Sequence, residues 1–362
     1  MRRKISVTAF IICMAMCVCL LCACADKVKI VADDNPYTFV NKGHDIPEID
    51  ADMTIDGKLD EARWQQSRWL EVRDKPNAQM YADIAFTTSY GEQGIYFGMK
   101  VREYGTYIYC NPERASSLNS SIEMYAAPVK SDGTSARDQV LQFNFQSDGT
   151  VANWVNTAAS GEAKWLNKVT VWEKMPISAV TYIGGELNKG ATGYIIEAYV
   201  PFTFFEFCGW DMSNPDSLVM GIDPAHNFSF NYDGTDSTYD RFWSCWSRQQ
   251  GFINTVWLDA TTFFRFGSSG LMAYDLNVTN EGTGSGAVTA NKALPVLAGV
   301  DNTICIKPYN NYALTKFEIN GVDKFDELVD NGWYFTYNLG KVEGKNIVNE
   351  ETNAVEITVK FE

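Results

Sequence analysis

The 362-residue sequence predicts an all-β protein, an antiparallel β-sandwich of the immunoglobulin or jelly-roll kind followed by a small all-β domain. Three observations predict it. Apolar and polar residues alternate with a period of two in many short stretches, Gly, Asn and Asp punctuate those stretches, and long amphipathic helical patterns are absent. Strands that are not separated by crossover helices pair antiparallel, and a strand with one apolar face needs a second sheet to cover it.

Taken from the N-terminus, the chain opens with Met-Arg-Arg-Lys, runs through an apolar stretch from Ile5 to Leu21 and reaches Leu21-Cys22-Ala23-Cys24 before turning polar. A cationic start, an apolar middle and a small-residue junction form the pattern of an export signal over residues 1–23. About 17 apolar-rich residues stand at the lower limit for a membrane-spanning helix. The junction resembles a bacterial lipobox, which implies lipidation at Cys24 and an extracytoplasmic body anchored to the membrane or cell surface. Each buried acyl CH₂ contributes roughly 0.8 kcal/mol to such an anchor. Residues 24–48 are polar with few periodic apolars and read as a tether or a loose leading strand.

In Ile-Asp-Gly-Lys-Leu-Asp-Glu-Ala-Arg-Trp, residues 55–64, Asp56-Gly57 suits a turn. Asp60 and Glu61 suit the positive end of a short helix, with Trp64 and Trp69 as apolar anchors. From Ala82 onward the period is two. Ile95, Phe97, Met99 and Val101 alternate with Tyr96, Gly98 and Lys100, and Leu141, Phe143 and Phe145 alternate with Gln142, Asn144 and Gln146. Residues 121–128 and 193–202 repeat the pattern, and Ser147-Asp148-Gly149-Thr150 supplies a turn. The sandwich is assigned to residues 49–278. Residues 279–291, rich in Gly, Ser and Thr, read as a linker. Residues 303–308, 313–321, 333–338 and 354–361 are four strand candidates of a second domain at 292–362.

The net charge is −15, and removal of Arg2, Arg3 and Lys4 with the signal leaves −18. That sign opposes nucleic acid and anionic lipid surfaces and favours neutral partners such as sugars. Aromatic content of 14% argues for a substantial core with rings left over for a surface. Five of the nine cysteines precede residue 25. Cys110, Cys208, Cys245 and Cys305 match no metal-binding spacing, allow three disulfide pairings or none, and read as buried thiols.

Read together and in order, these segments resemble the family 9 carbohydrate-binding modules, DOMON-like β-sandwiches found on xylanases and related surface proteins. The resemblance runs from about Ile55 to Leu271. It is carried by residues 55–64, 94–101 (GIYFGMKV), 120–128 (SSIEMYAAP), 141–149 (LQFNFQSDG), 193–202 (GYIIEAYVPF), 219–227 (VMGIDPAHN), 241–244 (RFWS) and 263–272 (FFRFGSSGLM). It implies non-catalytic binding of a glycan, commonly the end of a β-linked glucan or xylan chain, between two aromatic platforms with amide and charged side chains on the hydroxyls. Trp257 matches one platform. Ser116, Ser117 and Leu118 stand where the family has the other, with Tyr107 and Tyr109 as the nearest substitutes. Glu123 and Gln142 match polar contact positions, and Asn144 stands where the family often has a cation. Trp243 and Trp246 are three apart, which in a strand puts them on opposite faces, so Trp246 is a candidate to line the groove. The second domain, through residues 306–323 (IKPYNNYALTKFEINGVD), resembles the β-repeat modules of bacterial surface proteins. Asn311 there replaces the usual Gly before Tyr312, and the resemblance implies a spacer or adhesive unit without chemistry of its own.

Other readings stand beside this one. Glu123, Glu197, Asp223 and Asp240 supply carboxylates for a glycoside hydrolase, which needs two acids at a defined separation. A structural or adhesive lipoprotein that has lost the sugar site is the alternative favoured by the missing second aromatic. Only two histidines occur, His44 and His226, and neither lies near a Gly-x-Ser-x-Gly elbow. His226 with Met80, Met99 or Met124 offers haem ligands, and residues 231–240 (NYDGTDSTYD) offer oxygens for a structural calcium ion outside the EF-hand spacing. No cofactor is required by the carbohydrate-binding reading, no metal ligands are assigned, and the expected partners are a polysaccharide or oligosaccharide, the membrane through the lipid anchor, and other surface proteins.

Overall fold

The computed structural model describes residues 39–41, 48–74, 81–105, 107–111, 113, 118–131, 136, 139–156, 165–166, 176–231, 239–245, 264–268, 270–290, 295–342, 347–349 and 351–362. The signal segment and Cys24 therefore lie outside the described residues. Strands are numbered here in chain order. One sheet holds β1 (Phe39–Asn41), β5 (Ser121–Pro128), β6 (Leu141–Gln146), β7 (Val151–Asn156), β8 (Trp165–Leu166), β11 (Met220–Asn231), β12 (Tyr239–Cys245), β13 (Phe264–Gly267) and β14 (Gly270–Leu271). Its order is β1-β7-β6-β5-β11-β13-β14, with β8 on β7 and β12 on β11. The facing sheet runs β2 (Leu70–Asp74), β3 (Tyr81–Tyr90), β4 (Gly94–Tyr104), β10 (Gly193–Pro201) and β9 (Ile177–Ile183). Every pairing in both sheets is antiparallel.

The period-two residues make the core. Ile95, Phe97, Met99 and Val101 from β4 meet Ile122, Met124 and Ala126 from β5 and Leu141, Phe143 and Phe145 from β6, all buried. The Phe97 ring centre lies 6.2 Å from Phe143 and 5.9 Å from Phe145, so aromatic contact joins the two sheets. Each such side chain contributes about 1.5–3 kcal/mol by leaving water. At one edge Tyr182 of β9 donates its hydroxyl to the Ser147 carbonyl at 2.8 Å, a polar tie across the gap.

A second apolar cluster lies on the far side of the five-stranded sheet, where Met53, Leu59 and Trp64 pack on Tyr96 and Tyr199. The leading segment builds it. Gly57 has φ +81°, and a Cβ there would stand 2.9 Å from the Val180 backbone, so both conformation and close approach require glycine. The expected helix is α1 (Ala62–Gln66), but its acids do not cap it: Glu61 Oε1 instead accepts from the Thr54 N–H at 3.2 Å. Helix α2 (Phe202–Phe207) follows β10 directly and buries Phe204 and Phe205 in the main core.

The second domain has two sheets. One runs β17 (Val296–Leu297), β15 (Ala273–Asn280), β23 (Ala354–Phe361), β19 (Leu314–Ile319), β20 (Val322–Asp323), and the other β16 (Gly286–Ala290), β18 (Asp301–Pro308), β22 (Phe335–Lys341), β21 (Val329–Asp330). β15 and β23 are parallel, the exception to the antiparallel pattern. Ile304, Ile306, Phe317, Val355, Ile357 and Val359 form a separate core. Asn311 has φ +75°, so the residue in the usual glycine position keeps the left-handed backbone that asparagine tolerates. Asn320-Gly321, both left-handed, turns β19 into β20.

Two expectations are corrected here. Residues 279–291 are not a linker: β15 ends at Asn280 and β16 runs from Gly286 to Ala290. Their glycines admit a neighbouring chain rather than supply slack. A Cβ on Gly282 would collide with the Phe361 carbonyl, one on Gly284 would stand 2.8 Å from that oxygen, and one on Gly286 would meet the Phe361 ring at 2.5 Å. The domain change also falls earlier than residue 278, because β15 already pairs with β23 from Asp275. Within the segment read as a tether or a loose leading strand, Phe39–Asn41 pair with β7 as an edge strand. Gly282→Ala is expected to destabilise the second domain by about 1–3 kcal/mol, the usual cost of overpacking, and a denaturant titration would register it as a lower midpoint.

Candidate functional site

Strand alternation that sends Phe143 and Met124 inward sends their neighbours to the outer face of the same sheet. That face carries Ser121, Glu123 and Tyr125 of β5 and Gln142, Asn144 and Gln146 of β6. The register sets Glu123 between Asn144 and Ala225, Tyr125 between Gln142 and Asp223, and Ser121 between Gln146 and Asn227. The row is polar and largely buried, with Glu123 2% and Asn144 0% exposed.

Burial forces these groups to bond one another. Asn144 Nδ2 donates to Glu123 Oε1 at 3.2 Å and the Tyr125 hydroxyl to Glu123 Oε2 at 3.0 Å. Beside them Asn227 Nδ2 donates to Ser121 Oγ at 3.0 Å. Asn119 Nδ2 donates to Gln146 Oε1 at 2.6 Å, and Gln146 Nε2 to Thr150 Oγ1 at 2.7 Å, which closes one end of the row. Asn144 Oδ1 is buried and accepts no hydrogen bond within the described residues. An acceptor so placed, beside a carboxylate and among amides and hydroxyls, is suited to the hydroxyls of a neutral polyol rather than to an anion.

Of the residues expected to form a site, the fold brings Glu123, Asn144 and Gln142 onto this one face. Tyr109 is tied to the start of β5 by the Ser120 N–H donating to its carbonyl at 2.8 Å and by its own N–H donating to Ser120 Oγ at 3.2 Å. At 6% exposed, Tyr109 offers little ring face in the closed chain, whereas Tyr107, two residues away, is half-buried. Trp257 and Trp246 lie outside the described residues. Tyr125, Ser121, Asn227, Asn119 and Gln146 were not singled out by sequence reasoning. The signal that identifies Tyr125, Ser121 and Gln146 is their even spacing from Glu123 and Gln142.

Solved sandwiches resemble this one. A family 9 carbohydrate-binding module from Caldicellulosiruptor kristjanssonii in complex with cellotriose superposes with a TM-score of 0.38 and 11% identity, covering 59% of this chain and 87% of the other. The module from the same organism in complex with glucose gives 0.36 and 11%, with 59% and 89% covered. A proposed carbohydrate-binding protein from Bacteroides uniformis gives 0.33 and 10%, with 50% and 78% covered. No protein-family model and no curated protein matches the chain. None of these similarities carries a ligand or a site residue over to this chain.

The remaining acids and histidine separate in space. Glu197 of β10 lies under the leading segment, on the outer face of the other sheet. Its Oε1 accepts from Trp64 Nε1 at 2.7 Å, and its Oε2 from the Asp56 and Gly57 N–H groups at 3.0 Å each. Burial pushes its pKa up to about 7 in spite of these three donors. Glu123 and Glu197 therefore stand on opposite outsides of a two-sheet stack and do not make an acid–base pair with each other. β11 and β12 carry Asp223 and Asp240 in their backbone register, opposite Tyr125 and Phe230.

His226 turns into the sandwich, its Nε2 2.9 Å from Glu103 Oε1, with both side chains buried. Among the described residues no group of three or more His, Cys, Asp or Glu is arranged to hold a metal ion, and residues 232–238 of the calcium-loop expectation lie outside them. Cys208 and Cys305 are free thiols, Cys110 is buried, and burial raises the pKa of Cys208 to about 12.

Proposed function

We propose that this chain is a non-catalytic carbohydrate-binding protein, held outside a bacterial membrane by a lipid on Cys24, whose ligand is a β-linked glucan or xylan. The observation that supports the reading is the polar row on β5 and β6, above all the buried Asn144 Oδ1, which accepts no hydrogen bond among the described residues, beside the Glu123 carboxylate. Sugar hydroxyls supply donors and acceptors in the same plane, and an aromatic ring takes the C–H face of the pyranose. In this reading Trp257 is that ring, Tyr107 is the candidate second ring, and Gln142 and Asn144 bond hydroxyls. A site of a few hydrogen bonds and one or two rings supports micromolar to millimolar affinity, about −4 to −8 kcal/mol. A neutral ligand releases no counterions, so binding is insensitive to salt.

The test is titration calorimetry with soluble xylo- and cello-oligosaccharides against the full chain and Trp257→Ala. Affinity at least tenfold weaker in the variant, with an unchanged melting midpoint, supports the platform. Equal affinity removes it. A second reading is favoured by the burial itself: side chains as enclosed as Glu123 and Asn144 also suit a purely structural network in an anchored adhesive scaffold. Absence of binding to any tested glycan by the wild-type chain selects that reading, and reducing-sugar release selects a hydrolase.

A further inference from the structure

From the shape and chemistry of the second domain, we infer that it carries a glycan-stacking ledge of its own, centred on Trp333 and separate from the face of the sandwich. Trp333 is 66% exposed, the highest value among the exposed large apolar side chains of the described residues. It sits in the turn between β21 and β22, and the turn is tightly held. Gly332 N–H donates to Asp330 Oδ1 at 2.7 Å, Asn331 N–H to the Tyr334 carbonyl at 2.9 Å, and Asn331 Nδ2 to Thr336 Oγ1 at 3.1 Å. The ring is also held in place by its neighbours. Lys307 Nζ lies 4.5 Å from its centre, and the Tyr334 ring stands across it at 4.7 Å and 61°.

An exposed indole fixed in this way loses little freedom when a ligand arrives, which is what a stacking platform needs. The register that pairs Ile306 with Phe335 brings Lys307 alongside Tyr334. Tyr309, 51% exposed, leaves the adjacent strand two residues further on, so two open aromatic side chains share one end of the sheet. The groups beside Trp333 are an ammonium, a carboxylate, an amide and a hydroxyl, with Val329 the one exposed aliphatic on the neighbouring strand. Protein hot spots lie in well-packed, desolvated pockets, whereas a sugar platform is an open flat ring beside hydroxyl-bonding groups. The chemistry at Trp333 is of the second kind. The ligand class is a neutral polysaccharide whose pyranose units present C–H faces, and a second contact on the same chain raises retention on a polymer through effective concentration.

The experiment is affinity electrophoresis of the full chain in gels containing xylan or mixed-linkage β-glucan, with a parallel pull-down on cellulose, comparing wild type, Trp333→Ala, Glu123→Ala and the double variant. Trp333→Ala is expected to lower retention three- to tenfold with no change in melting midpoint, and the double variant to lose the retention that Glu123→Ala keeps. Full retention by Trp333→Ala, or no retention of wild type on any of the three polymers, overturns the ledge. A shift of Trp333→Ala from dimer to monomer in sedimentation also overturns it, by giving the ring to a second copy of the chain. Loss in Glu123→Ala alone leaves the sandwich site standing without the ledge, and loss in Trp333→Ala alone does the reverse.

Discussion

Glu197→Ala is expected to lower folding stability by about 3–5 kcal/mol, because it strips the acceptor from three donors at once: the buried Gly57 N–H and Trp64 Nε1 and the half-buried Asp56 N–H. The leading segment then keeps its apolar contacts and its bonds to Tyr90, Tyr96 and Tyr199 but loses its anchor around Trp64, so the Trp64 emission should shift to the red at lower denaturant than in wild type. Glu197→Gln is the finer probe. Its amide keeps one acceptor oxygen but turns an NH₂ toward at least one N–H donor, so a loss of about 1–3 kcal/mol is expected.

The same carboxyl sets a pH dependence whose sign follows from its position. Its folded-state pKa, pushed up to about 7 by burial, is above the ordinary 4.5, so the folded chain holds this proton more tightly than the unfolded one. The stabilisation is complete below about pH 4.5 and is lost as the pH rises through 7. The difference between wild type and Glu197→Gln should therefore shrink by about 2–3 kcal/mol across that window. Parallel pH profiles for the two proteins would refute the assignment.

Glu123→Ala is the second large effect, this time on binding. The carboxylate is the common acceptor for Asn144 Nδ2 and the Tyr125 hydroxyl, so its loss takes that acceptor from both and removes the partner a sugar hydroxyl would meet. A 10- to 100-fold drop in affinity for soluble oligosaccharide is expected, with about 1–3 kcal/mol of stability lost alongside because two buried donors lose their acceptor. Calorimetric affinity and thermal midpoint measured on one preparation separate the two. Undiminished affinity at a lowered midpoint would assign Glu123 to the scaffold alone.

The strands were readable because the rule behind them is local. A period of two is a property of consecutive residues, so Phe97, Met99, Leu141 and Phe143 declare a buried face wherever the sheet ends up. The leading segment was readable only in part. Asp56-Gly57 and Trp64 announce a turn and an anchor, yet the object they enclose, Glu197, is 133 residues beyond Trp64, and no local pattern links them. Residues 279–291 misled for a related reason: glycine that gives a chain slack and glycine that makes room for another strand are the same residue in a sequence, and the passage of Phe361 distinguishes them.

The residues of the polar row follow the same division. Alternation alone assigns Glu123, Gln142 and Asn144 to the face opposite the core, and composition alone makes the chain acidic and rich in aromatics. That Glu123 pairs with Asn144 and Tyr125 while Glu197 is enclosed 74 positions later on the other outside depends on strand order and register. Those are set by contacts between residues far apart in the chain, whose free energy is gained only once both sheets have closed on a common core.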